Sequence, residues 1–463
     1  MRAMTRLIIA SNRTARPGEA RPGGLAVALL DALNDRGGIW FGWSGEVLER
    51  ETRGINLLVD GKVDFALANL TRREYEGYYL GYANRALWPV LHYRVDLAEF
   101  DDEAFSIYED VNRRFGRLLA QLLRADDLVW IHDYHFFLLA RELRYNNWRG
   151  PTGFFLHIPF PAPEVFAALP AHVQIARGLA EHDLVGFQTR RDTENFRRYM
   201  AEHHGAELQQ DGWLRVFGRR LRAAAFPVGI DPDEIRRAAT DASASAPAER
   251  LGRILEDRAL VLGVDRMDYS KGLPQRLAAF GALLDNYDQL RGRVSYVQIS
   301  PLSREEVNAY ADLREEVDRL AGRINSEHAD LTWTPIRYLV RGYPRETLAG
   351  LYRLARVGLV TPLRDGMNLV AKEFVAAQDP EDPGVLVLSE FAGAAEQLDA
   401  ALLVNPHDVN AVAAAIWRAL EMSADERIER WQALDSVIRD ADVARWRNSF
   451  LDALTAAAAE TRT

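Results

Sequence analysis

Residues 361–378 read TPLRDGMNLVAKEFVAAQ, and the fold turns on how this stretch is read. The residues just before it, Val357, Gly358, Leu359 and Val360, are short, apolar and β-branched, the profile of a buried strand. Pro362 cannot continue a strand ladder. Arg364, Asp365, Gly366 and Asn368 then make a tight polar loop. From Leu369 the pattern turns helical, with Val370, Phe374 and Ala377 on one face. Strand, glycine-containing loop and helix present free backbone N–H groups and a positive dipole end to an anion. Asp365 sits where a carboxylate can grip sugar hydroxyls, and Glu373 follows about one turn into the helix.

Working outward, the chain has 57 basic residues, of which three are lysines: Lys62, Lys271 and Lys372. Two of the three fall in segments that look like sites. Lys271 suits a place where only a compact ammonium fits; for Lys372, codon bias is the simpler account. At 463 residues the chain is expected to form two domains. A net charge of −10 argues against a nucleic-acid partner, since a phosphate backbone would be repelled. No cysteine is present, which excludes disulfides and zinc–thiolate sites. The opening MRAMTRLIIASNR reads as a first strand and not as a signal peptide. No run approaches the roughly 18 apolar residues that span a membrane, so no membrane partner and a cytoplasmic location are expected.

The first half alternates strands at 7–10, 127–131, 154–156 and 183–187 with helices at 25–33 and 136–143. Near 226–235 the sequence is FPVGIDPDEI, and 239–248, ATDASASAPA, has a linker's composition. Strands then resume at 260–264, 294–299, 357–360, 385–388 and 402–404. Residues from 424 on read as helical, with the last nine, TAAAAETRT, fraying. The expected class is α/β, two doubly wound domains facing each other across a cleft at the carboxyl ends of their sheets.

Chemistry-bearing residues gather at those strand ends. Arg266 and Lys271 lie between the strand at 260–264 and a helix starting near Pro274, where two cations suit a diphosphate leaving group. Ion pairs with Asp265 and Asp268 are the competing reading. Arg13, with Gly23 and Gly24 before the first helix, makes a second anion-friendly loop, and Arg304 follows another strand. His132 and His135 have metal-like spacing but no partner cluster, so no metal is expected, and Asp133 reads better as a hydroxyl-binding carboxylate. His157 ends the next strand, as a ligand or as a satisfied core histidine. Asp231-Pro232-Asp233 reads as a helix start and not as a metal motif.

Taken together, SNR at 11–13, GGLAVAL at 23–29, WFGWSG at 40–45, LWP at 87–89, HDYH at 132–135, FFLHIPFP at 154–161, DRMDYSKGLP at 265–274 and PLRDGMNLVAKE at 362–373 resemble the trehalose-6-phosphate synthase family, retaining glycosyltransferases of the GT-B fold. The resemblance implies domains at 1–230, which binds acceptor, and 231–443, which binds nucleotide sugar. A C-terminal helix near 444–463 is expected to pack back onto the first. It implies transfer of glucose from a nucleoside-diphosphate glucose to glucose 6-phosphate, with no cofactor, in a dimer or tetramer. Arg266 and Lys271 would hold the diphosphate. Asp365 and the N–H groups of Gly366, Met367 and Asn368 would hold the donor glucose. Leu369 and Glu373 would meet the nucleotide, His157 the donor sugar, and Gly23 and Gly24 would approach the donor. Arg13 and Arg304 would clamp the acceptor phosphate, with Tyr79, Trp88 and Asp133 on the acceptor sugar and Trp40 nearby. Two departures, Leu302 where the family usually has threonine and Thr14 after Arg13, remove no charged partner. The alternatives are a glucosylglycerol-phosphate synthase using glycerol 3-phosphate, a non-catalytic sugar-phosphate sensor and a glycogen-synthase-like polymerase.

Overall fold

The structure, a computed structural model, describes residues 5–14, 23–50, 54–243, 246–256, 258–302 and 308–461. Arg304 lies outside the described residues. The chain divides into two units, one of Met1–Pro227 with Ala444–Thr463, the other of Val228–Val443.

In the first unit, apolar strands too short to bury themselves alone line up as one sheet. Its strands are β1 (Leu7–Arg13), β2 (Gly38–Leu48), β3 (Asn56–Asp60), β4 (Val63–Thr71), β5 (Leu128–His132), β6 (Thr152–Phe155), β7 (Leu184–Phe187), β8 (Glu207–Leu208), β9 (Trp213–Val216) and β10 (Arg219–Ala225). They lie in the order β3-β4-β2-β1-β5-β6-β7-β10-β9-β8. The run from β4 to β10 is parallel, and antiparallel pairings finish both edges. The helix Val443–Thr461 closes one face: Phe450 stacks on Trp130 of β5 at 4.6 Å, and Trp446 lies 5.1 Å from the same ring. Gly186 of β7 makes room for it, since a Cβ there would sit 2.7 Å from the Phe450 ring.

The second unit holds β11 (Ala259–Val264), β12 (Val294–Ile299), β13 (Ile336–Leu339), β14 (Val357–Val360), β15 (Val385–Ser389) and β16 (Leu402–Val404). All neighbours are parallel, in the order β13-β12-β11-β14-β15-β16. Numbered within the unit this is the doubly wound order 3-2-1-4-5-6, whose direction of winding reverses between β11 and β14. Ligands of such sheets bind outside the strand ends at that reversal. The parallel run of the first unit reverses in the same way between β1 and β5.

Three readings of the sequence are corrected. The linker-like 239–248 is helical wherever it is described, as parts of Pro232–Ser243 and Ala246–Leu255 within the second unit. Its alanines favour helix, and Ala239 and Ala248 are buried. The C-terminal alanines do not fray before Thr461: Ala457 and Ala458 are buried, and the Thr461 hydroxyl donates to Asp183 at 2.9 Å. The single helix expected at 136–143 is a 3₁₀ turn, Tyr134–Phe136, followed by Leu139–Tyr145.

Candidate active site

In the second unit two loops meet at the reversal point. The first leaves β11. Asp268 accepts from Ser270 N at 2.9 Å, and Gly272, at φ +67°, opens the helix Leu273–Asn286 with Pro274 in its first turn. The second leaves β14, and the two are stitched together, with Leu363 N and Arg364 N both donating to Ser270 O, at 2.8 and 3.3 Å. A buried guanidinium ties them from below. Arg276 donates to Asp265 at 2.7 Å, to Gln298 and Thr361 at 3.1 Å, and to Lys271 O at 3.2 Å. Sequence reasoning missed this residue; the only signal was a lone cation in an apolar helix.

Arg276 thereby takes Asp265, one of the partners considered for the two site cations. Lys271 instead pairs with Asp365 of the second loop. Arg266 is exposed and makes no ion pair among the described residues. Asn368 Nδ2 donates to Asp365 Oδ2 at 3.0 Å. Asn368 takes the left-handed conformation, φ +75°, at the start of the helix Leu369–Ala377. The loop backbone is held from behind, Gly393 N to Asp365 O at 3.1 Å and Ala394 N to Met367 O at 2.8 Å. The N–H groups of Gly366, Met367 and Asn368 have no hydrogen-bond partner among the described residues. Three unspent donors, a helix dipole, an exposed guanidinium and a lysine–aspartate pair are groups that can hold an anion attached to a polyol.

Glu373, one turn on, is raised to about 7, mainly by burial and further by Glu234, with Arg345 opposing. Arg345 bridges the two acids, 2.8 Å from Glu234 and 3.9 Å from Glu373. Leu369 is half-buried beside the loop. Lys372, read as incidental in the sequence, is buried, and burial lowers it to about 7.

In the first unit Arg13, Asp133 and His157 stand at or just past the ends of β1, β5 and β6. Arg13 ends β1, exposed, its guanidinium 5.4 Å from the centre of the Trp43 ring. Trp43 begins an aromatic wall that the sequence did not reveal. It continues through Tyr75 and Tyr79, whose rings stack at 5.4 Å, to His135, 5.8 Å beyond Tyr79. The two tyrosines lie on a π-helix, Tyr75–Leu87, entered by a capping box between Thr71 and Glu74. Tyr79 on this helix lies 5.4 Å from Trp43, ring centre to ring centre, and π-helical turns are frequent at functional sites. Trp88 follows directly, buried against His92 and Tyr134. Trp40 is buried too, its Nε1 donating to Ser11 at 2.8 Å. Gly23 and Gly24 begin the helix Gly23–Arg36.

Asp133, just past β5, has φ +71° and ψ 166°, a region only glycine enters freely. Its carboxylate accepts from His157 N at 3.3 Å. The His157 Nε2 lies 2.9 Å from His132 Nδ1. Burial pulls His157 down to about 3 and holds His132 well below the usual range, so both rings are neutral and one donates to the other. His157 is thus bonded through Nε2, and its Nδ1 makes no hydrogen bond among the described residues. Among the described residues no group of three His, Cys, Asp or Glu side chains could hold a metal ion.

A family model, glycosyltransferase family 20, matches residues 4–456. The chain belongs to glycosyltransferase family 20. Within that family it is 47% identical to a trehalose-6-phosphate synthase of Sinorhizobium fredii over 98% of this chain and 99% of the relative. Among solved structures of family 20 proteins it resembles the UDP-forming α,α-trehalose-phosphate synthase of Burkholderia xenovorans in complex with glucose-6-phosphate. There the TM-score is 0.93 at 47% identity, over 97% of this chain and 100% of that one. The E. coli protein bound with UDP-2-fluoro glucose is similar at TM-score 0.93 and 44% identity, over 97% and 99% of the two chains.

Proposed function

We propose that this chain is a trehalose-6-phosphate synthase, moving glucose with retention from UDP-glucose to glucose 6-phosphate and releasing UDP. The observation that carries the reading is the second unit's loop: three unpaired N–H groups beside the Lys271–Asp365 pair, with Arg266 free to receive a phosphate. On this reading the diphosphate takes over Lys271 and Arg266, and glucose hydroxyls take over Asp365. Gly366, Met367 and Asn368 donate to the sugar, Leu369 and Glu373 face the nucleoside, and Gly23 and Gly24 approach the donor. His157 offers Nδ1 to a glucose oxygen. Arg13 and Arg304 receive the acceptor phosphate, while Tyr79, Trp88 and Asp133 orient its sugar and Trp40 supports Ser11 from below.

The transfer proceeds on one face of the anomeric carbon. The bond from that carbon to the diphosphate oxygen breaks, the acceptor oxygen bonds from the same side, and the acceptor proton passes to the departing phosphate. Arg266 and Lys271 stabilise the charge that grows there, the electrostatic work that a metal does elsewhere. The aromatic wall favours a hexose phosphate over a three-carbon acceptor. A cytoplasmic location and a dimeric or tetrameric assembly complete the reading. A coupled assay crossing UDP-, ADP- and GDP-glucose with glucose 6-phosphate and glycerol 3-phosphate tests it. The highest kcat/KM is expected for UDP-glucose with glucose 6-phosphate. Preference for glycerol 3-phosphate would move the chain to the glucosylglycerol-phosphate activity, and no turnover with any pair would leave a sensor.

A further inference from the structure

Lys372 is 1% exposed, and its ammonium has no carboxylate partner among the described residues. It donates to Val228 O and to Gln397 Oε1, both at 2.7 Å. An ammonium buried against two neutral acceptors is costly, and methionine would fill similar volume without that cost. What the ammonium gains is geometry, since it joins three segments far apart in sequence. The first is its own helix, Leu369–Ala377, which carries Glu373 one residue later. The second is the segment opening the second unit, where Val443 N, the unit's last residue, returns to Ile230 O at 3.1 Å. The third is Gln397, at the end of the 3₁₀ turn Gly393–Glu396. That turn holds the carbonyls of Asp365 and Met367. Lys372 thus braces the rear of the loop whose front bears Asp365 and the three unpaired N–H groups.

We propose that Lys372 is a positioning residue for the sugar donor: its bonds to Val228 and Gln397 set where the 365–368 loop and the Glu373 carboxylate stand. The inference rests on the nucleotide-sugar reading above. Neither Lys372 nor Gln397 touches substrate on this view, so the signature is selective. In steady-state kinetics with each substrate varied in turn, Lys372→Met should raise the UDP-glucose KM roughly tenfold, leaving the glucose 6-phosphate KM within about twofold. Gln397→Leu should show the same selectivity more weakly. Lys372→Ala should recover donor affinity with added n-propylamine, which restores the missing ammonium, and not with n-propanol. Should Lys372→Met fail to fold, Gln397→Leu decides by the same criterion. Unchanged donor KM in a folded variant overturns the proposal. So does a parallel rise of both KM values with a lowered Tm, the mark of a merely structural lysine. An inactive wild type with this substrate pair would instead defeat the functional reading, and the inference with it.

Discussion

Lys271 and Asp365 hold each other across the two loops of the second unit, and donor binding asks each for a new partner. If Lys271 stabilises the leaving diphosphate, Lys271→Ala should lower kcat by about 10²–10³-fold, the usual loss for one electrostatic donor. Turnover near wild type in the coupled assay would show that the lysine serves only to hold Asp365. In the first unit, Asp133 can be tested through its backbone. A non-glycine residue at its φ and ψ stores about 1–3 kcal/mol of strain. Asp133→Gly and Asp133→Ala both lose the carboxylate, but only glycine relieves the strain. Urea denaturation should find the glycine variant the more stable by about 1–3 kcal/mol, with acceptor KM raised in both; equal stabilities would mean an unstrained backbone. At this scale the sequence named Asp133, Lys271 and Asp365 because strand ends and loop composition mark them. It was silent on Arg276, Trp43 and the pairing of Lys271, since a side chain's partner is set by segments distant in sequence.

The helix Leu369–Ala377 was legible from its period and from the Gly-containing loop before it. Its electrostatics were not. Glu373 and Lys372 are adjacent, and burial moves both to about 7, from ordinary values of 4.5 and 10.5. Between 4.5 and 7 the folded state binds more protons at Glu373, so stability from this group falls as pH rises through that window. Between 7 and 10.5 the unfolded state binds more protons at Lys372, so stability from this group rises with pH. Together they place a minimum near neutrality in the helix's contribution. Urea midpoints measured from acid to alkaline pH should show it, with Glu373→Gln flattening the acid limb and Lys372→Met the alkaline one. Limbs that keep their slopes in the variants would assign the dependence to other groups. The π-helix Tyr75–Leu87 was not foreseen at this scale, and 239–243 was read as a linker although its alanines favour helix.

Across the whole chain, the longest-range decision is that the helix Val443–Thr461 joins the first unit, more than 200 residues after that unit's last strand. Phe450 is its anchor, fully buried between Trp130, Phe155 and Phe226. Phe450→Ala should cost about 3–5 kcal/mol, because the sheet beneath cannot collapse into the void. Denaturation followed by tryptophan fluorescence reports it directly, since Trp130 and Trp446 flank the site. A loss under about 1 kcal/mol would show that the helix only rests on the sheet.

By itself the sequence determined an α/β chain with its reactive residues at strand ends. Hydrophobic period, proline breaks and glycine loops are local properties, readable wherever they stand. The order in which strands pair, the meeting of Lys271 with an aspartate 94 residues away, the brace at Lys372 and the return of the last helix were decided only by the tertiary structure. Each depends on which distant surfaces exclude water together, and that is a property of the packed whole and of no segment within it.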